Sequence, residues 1–220
     1  MRPYADNVWL KLDPLSKATA SGIVLVEGER KSKGTRRATV VASGAGHVTK
    51  LGAFVENEIK AGETVYVYAL AGQDWQYDFD APRHNMKIEF DQVAGERGEY
   101  RVARAAEILA REAADGSVQA VADYIIVRRT EVAQMSPGGI HIPESHAPRP
   151  LTGAVLSVGS GRVREDGKRH ALGVGAGETV MFQRFAGSEI DVRGETLLLL
   201  REDDLLCVLD AEAAKAVEAA

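Results

Sequence analysis

A chain of 220 residues has room for one large domain or two small ones, and a hydrophobic content of 45% is enough for a core. Its net charge of −5 argues against a broad nucleic-acid-binding surface, and its single cysteine, Cys207, excludes an internal disulfide or a cysteine-rich zinc site. No apolar run reaches the length of a membrane span, and the opening MRPYADNVWL lacks the apolar core of a signal peptide, so a soluble, cytoplasmic chain is expected.

Residues 8–12 read as a first strand. A glycine and an apolar trio follow, Gly22 and then Ile23-Val24-Leu25, leading into EGERKSKGTRR at 27–37, a run too charged to bury. Residues 39–42 are a valine-rich strand ended by Gly44 and Gly46, and an AGE turn at 61–63 opens another strand at 64–68. The stretch 66–98 holds Trp75, Tyr77, Phe79, His84 and Phe90; within it 86–90 alternates apolar and polar residues, as a strand or an extended hairpin would. Residues 99–110 close this half, and 115–122, with Asp115-Gly116-Ser117, read as a linker.

The second half repeats the order. Residues 124–128 are a first strand, followed by SPGGIHIPESHAPRP at 136–150. There Gly138 and Gly139 are permissive in backbone angle, while Pro143, Pro148 and Pro150 withhold donors, so no long ladder can run through. On its own, Ile140-His141-Ile142 is consistent with a short edge strand flanked by turns. Paired with the Gly22–Leu25 stretch it reads as a hydrophobic bait on a flexible loop, suited to folding onto a partner. Then come a strand at 153–158, a hairpin at 162–170 turned by Asp166-Gly167, strands at 179–182 and 195–200, and a last strand at 205–209. Residues 211–220 form an alanine-rich tail too short for a helix stable alone.

The halves are copies. Ala61-Gly62-Glu63-Thr64-Val65 returns unchanged 115 residues on (61 to 176), and the Val40–Gly46 block returns at the same displacement. The trios and the first strands are displaced by 117 (23 to 140). Four matched blocks in one order indicate two homologous domains, 1–114 and 123–210. The EYRVARAAEILA block answers ETLLLLREDDLL at a displacement of only 96 (99 to 195), which places about 19 extra residues within 66–98. Many short strands with glycine turns argue for an all-β fold with one small antiparallel barrel per domain.

The second half resembles a GroES-type co-chaperonin along nearly its whole length. The resemblance is carried by GGIHIP at 138–143, TGAVLSVG at 152–159, GETVMF at 177–182 and EDDLLCV at 202–208. The first half is similar to the same family through Arg2-Pro3, residues 21–25, 40–46, 60–65 and 106–109. The tandem arrangement is similar to the plastid double co-chaperonin, although no transit peptide is seen. The resemblance implies a homo-oligomeric dome that caps a GroEL-type chaperonin in its ATP-bound state, the ATP being held by the chaperonin and no cofactor or metal by this chain. It implies that Ile23, Val24 and Leu25, with Ile140, His141 and Ile142, dock on the chaperonin from mobile loops hinged at Gly22, Gly138 and Gly139. It also implies that the hairpin of Glu165, Asp166 and Gly167 forms part of the roof, and that first and last strands pair with neighbours around the ring. Two domains per chain fit a ring of three or four chains.

Magnitudes favour many weak contacts. One buried trio yields about 4–9 kcal/mol, whereas ordering six loop residues costs about 6–12 kcal/mol. A single loop is therefore weak, and several on one ring bind together at high effective concentration while each still releases.

Other readings fail on particular residues. The Gly173–Thr179 stretch has Glu178 where a phosphate loop needs lysine, and Gly159-Ser160-Gly161 lacks the third glycine of a dinucleotide site. The zinc alcohol dehydrogenases share a GroES-like domain, but their chemistry requires cysteine and histidine ligands that are missing here. No pair of carboxylates stands out as acid and base, so no enzyme is expected. The competing class is a tandem β-barrel adaptor or structural protein whose loops bind some other partner.

Overall fold

A computed structural model describes residues 2–14, 34–69, 71–72, 99–130, 150–210 and 213. The chain divides into two compact units, Met1–Ser117 with Val163–Lys168, and Val118–Arg162 with Arg169–Ala220. In the first, β1 (Asn7–Leu12) alternates as a half-buried strand should, sending Val8, Leu10 and Leu12 into the core. β2 (Thr35–Ser43) pairs with it and with β5 (Thr64–Tyr68), and β3 (Gly46–Val48) with β4 (Phe54–Glu56) forms a separate hairpin between them. β6 (Glu99–Arg104) runs through a 3-10 turn at Ala105–Glu107 into β7 (Ile108–Glu112).

The second unit begins with β8 (Val118–Ala120), β9 (Tyr124–Arg129) and β10 (Thr152–Val158); the short β11 (Arg162–Val163) starts at its boundary, Val163–Lys168 belong to the first unit, and β12 (Arg169–His170) returns to the second. β13 (Thr179–Phe182), β14 (Ser188–Val192) and β15 (Glu195–Arg201) lead through a 3-10 turn at Glu202–Asp204 into β16 (Leu205–Leu209). Its core gathers Ile125, Val127, Val155, Val174, Val180, Phe182, Leu198 and Leu200.

Hydrogen-bond register displays the duplication more sharply than residue identity does. Val8 faces Ser43 as Ile125 faces Val158, and Ala38 faces Val65 as Gly153 faces Val180. Two bulges recur at matching places: Val41 and Leu156 are skipped in one ladder, Leu109 and Leu206 in another. The strands that pair with β1 and β9 place Ala103 opposite Val8 and Leu200 opposite Ile125. That is a displacement of 97 (103 to 200), not the 96 read from matching glutamates, because ladder pairing and not side-chain identity sets the register.

Three expectations change. Neither sheet closes into a barrel among the described residues: the orders are β6-β1-β2-β5-β7-β8 and β14-β15-β9-β10-β13-β16, and the end strands of each sheet do not hydrogen-bond to one another. The start of the linker read at 115–122 is a tight turn, and the rest carries strand β8. Asp115 accepts from the Ser117 N–H at 2.8 Å and from its hydroxyl at 2.6 Å, Gly116 takes φ +79°, and Ala113 N–H reaches Ser117 O at 2.8 Å, so the chain turns tightly into β8. Strand β14 was not anticipated. It is turned back onto β15 by Arg193 and Gly194, both at positive φ, with the Gly194 N–H donating to Asp191 at 2.9 Å. The alternating stretch at 86–90 lies outside the described residues, as does most of the tail at 211–220.

Candidate functional site

Each apolar trio belongs to a segment joining the first two strands of its sheet, β1 to β2 and β9 to β10. Ile23, Val24, Leu25, Ile140, His141 and Ile142, with Gly22, Gly138 and Gly139, lie outside the described residues. The stems that hold the two segments are described, and they close alike. The Asp13 N–H donates to Arg37 O at 3.0 Å, and the Thr130 N–H donates to Thr152 O at 3.0 Å. Those residues are displaced by 117 (13 to 130) and 115 (37 to 152), the displacements of the flanking strands.

The side chains around the stems differ. Arg36 is 5% exposed. It donates to the Asp13 carbonyl at 2.7 Å and to the Glu99 carboxylate at 2.9 Å. Arg37 bridges Asp13 at 2.7 Å and Glu112 at 2.8 Å. Hydrogen bonding to Glu112 and then to Asp13 raises the Arg37 pKa, so this guanidinium stays charged. Burial pushes the Glu99 carboxyl up, but hydrogen bonds from Arg36 and Arg101 outweigh it and leave Glu99 below the usual carboxylate range. Both arginines stand at the end of the run that its charge marks as unburied, yet they belong to β2, where Arg36 is buried with the partners that a buried guanidinium requires while Arg37 stays half-exposed.

At the second stem a pair of hydroxyls stands where the first has charged groups. The hydroxyls of Thr130 and Thr152 lie 3.2 Å apart. Arg129 donates to the Pro150 carbonyl at 2.8 Å, and its guanidinium sits 5.1 Å from the centre of the Phe182 ring. These stem residues went unnoticed in the sequence, since nothing in Thr130 or Thr152 marks them as partners until the register is known.

The hairpin turned by Glu165, Asp166 and Gly167 is present. Gly167 has φ +78° and donates to Arg164 O at 2.9 Å, while Asp166 accepts from the Lys168 N–H at 3.0 Å. Its counterpart in the first half is the β3–β4 hairpin, turned at Gly52 with φ +83°. Glu178, the residue that disqualified a phosphate loop, accepts from the Gly175 N–H at 2.7 Å, as Glu63 accepts from the Lys60 N–H at 3.3 Å. Both AGE stretches are thus turns braced by their own glutamates. Among the described residues no three His, Cys, Asp or Glu side chains group as a metal site.

Comparison with known proteins yields two matches to one family model, described as chaperonin 10 Kd subunit, over residues 1–111 and 117–209. Similar proteins include the Co-chaperonin GroES of Acidithiobacillus ferrooxidans, 43% identical over 88 residues, which is 40% of this chain and 92% of that protein. Those of Myxococcus xanthus, 41% identical over 93 residues (42% and 97%), and Alkalilimnicola ehrlichii, 38% identical over 94 residues (43% and 99%), are similar to a like extent. Each relative is matched over nearly its whole length by less than half of this chain.

Proposed function

Since the chain belongs to the chaperonin 10 Kd subunit family and carries it twice, we propose that it is a double-headed co-chaperonin that caps a GroEL-type chaperonin in its ATP-bound state. The GroES names of its relatives support a co-chaperonin role. In the finer reading, Ile23, Val24 and Leu25 of one domain and Ile140, His141 and Ile142 of the other enter apolar grooves on the chaperonin. Glycines 22, 138 and 139 supply the bends, and the hairpin at 162–170 contributes the roof. The chain performs no chemistry in this scheme; nucleotide is bound and hydrolysed by the partner.

One observation carries the reading: both trio-bearing segments leave their sheets through the same closing hydrogen bond, Asp13 to Arg37 and Thr130 to Thr152. A stem closed on the sheet ties each trio to its own domain, and two such segments on one chain raise each other's effective concentration.

The test is capture on a GroEL-type chaperonin with and without ATP. The chain should bind only with nucleotide. Ile140→Ser with Ile142→Ser, or Val24→Ser with Leu25→Ser, should weaken capture while leaving the melting temperature within a degree or two. Loss of several kcal/mol of stability in either double variant would make the trios core residues, and nucleotide-independent or absent capture would favour an adaptor with some other partner.

A further inference from the structure

The two hairpins share a fold and differ in chemistry. In β3–β4, Val48 lies opposite Phe54 across the ladder, and Leu51 caps the turn. All three are open to solvent, at 63%, 59% and 73% exposure. At the displacement of 115 (48 to 163), the other hairpin carries Val163, Asp166 and Arg169 in the same places, with Asp166 and Arg169 exposed. A hairpin of this form therefore needs no leucine or phenylalanine there, and their exposure is a cost that folding does not demand.

Beside Phe54 the surface is concave. Ser43, Gly44, Ala45 and Ala61 line a shallow cleft whose rim carries the Glu56–Lys60 ion pair at 2.6 Å. Small side chains and near-bare backbone there leave space for an incoming side chain. The turn is open at Gly52, where a Cβ would meet nothing within 4 Å, while Lys50 pairs with Glu165 at 3.1 Å and anchors it on the other side.

We propose that this hairpin, with Val48, Leu51, Phe54 and the adjoining cleft, is a docking surface for extended apolar segments of non-native polypeptide. Area selects that occupant. Three side chains and a shallow cleft offer at most a few hundred Å², far below the roughly 800 Å² per partner that a stable protein pair buries. A second copy would not be held by it, whereas a short apolar stretch, bound weakly and released quickly, fits both the size and the lack of charge among the three residues. The inference rests on the co-chaperonin reading only for its place in a folding cycle, with the client meeting the lid as well as the chaperonin.

The experiment needs no chaperonin. Fluorescein-labelled α-lactalbumin, reduced and carboxymethylated so that it stays unfolded, is titrated with the full chain and followed by anisotropy. The wild-type chain should bind in the micromolar range, and Leu51→Asp with Phe54→Arg, which installs the other hairpin's own residues, should weaken binding by about tenfold or more. Where melting shows that this variant does not fold, Leu51→Thr with Phe54→Thr replaces it. Unchanged titration in a folded variant overturns the proposal. So does sedimentation showing that the wild-type chain self-associates and the variant does not, which would make a second copy the occupant. Nucleotide-dependent capture by the chaperonin should be the same for wild type and variant, so the lid reading and the client surface fail separately.

Discussion

Gly159 and Gly44 sit where a side chain has nowhere to go. A Cβ on Gly159 would lie 2.2 Å from the Ala122 carbonyl oxygen, and one on Gly44 would lie 2.1 Å from that of Ala5. Those two alanines hold φ at +52° and +53°, a left-handed conformation costing about 1–2 kcal/mol for a residue with a Cβ. The same strained contact thus occurs at the same place in both repeats, where the chain turns into its first strand. Gly159→Ala should cost about 1–3 kcal/mol by overpacking, since the obstructing atom is backbone and cannot rotate away. Gly177→Ala should cost less, because its Cβ meets nothing within 4 Å and only its φ of +90° is strained. Urea midpoints of the two variants check the order, and equal losses would mean that Ala122 yields.

Glu99 supplies a pH dependence at the same scale. Its folded pKa lies below the ordinary value of 4.5, so in the folded state the carboxylate holds its charge more tightly than in the unfolded chain. The resulting stability is present above that ordinary value and is lost as pH falls through the lower folded one. Urea midpoints should therefore drop on acidification below about pH 4.5, and Glu99→Gln should flatten part of that drop. A midpoint profile in the Glu99→Gln variant as steep as in wild type would show that Arg36 keeps no useful hold on the carboxylate.

At the scale of elements, the strands and their order could be read from valine-rich runs between glycine turns, and the trios stood out because each is apolar within a polar or proline-rich stretch. What escaped were features that exist only once strands pair. Arg36 looks like any arginine in a basic run until Asp13 and Glu99 are brought beside it. Strand β14 escaped because Arg193-Gly194 is a weaker turn signal than Asp166-Gly167. The apolar tip at Leu51 and Phe54 became meaningful only when register aligned it with Asp166 and Arg169. The two trios differ in that only the second holds a titratable residue, His141. Docked in an apolar groove, its imidazolium form is disfavoured by desolvation. Affinity through the second segment should fall as pH drops through about 6.5, the ordinary imidazole value, and His141→Leu should tighten capture and abolish that dependence. An unchanged profile in the variant would place the ring in water when docked.

At the scale of the molecule, the second sheet ends on an exposed edge. Strand β16 has Leu206 57% and Val208 45% exposed, with Cys207 also open. In its counterpart β7, Ile108, Leu109 and Ala110 are buried. An apolar edge with no further strand among the described residues is a template for another chain. The tandem co-chaperonin reading supplies that chain through a head-to-tail contact repeated around a closed ring, since a heterologous contact that did not close would run on into a fibre. Two domains per chain give six from three chains and eight from four, and a chaperonin of seven-fold symmetry, the family's usual partner, leaves one of eight without a site. Four chains are therefore favoured, because every docking site is then served. Native mass spectrometry at micromolar concentration should show three or four chains, and Leu206→Lys with Val208→Lys should return the chain to a monomer while its unfolding stays cooperative. A chain that is monomeric before any substitution, and that forms no ring when chaperonin and nucleotide are added, would remove both the ring and the lid.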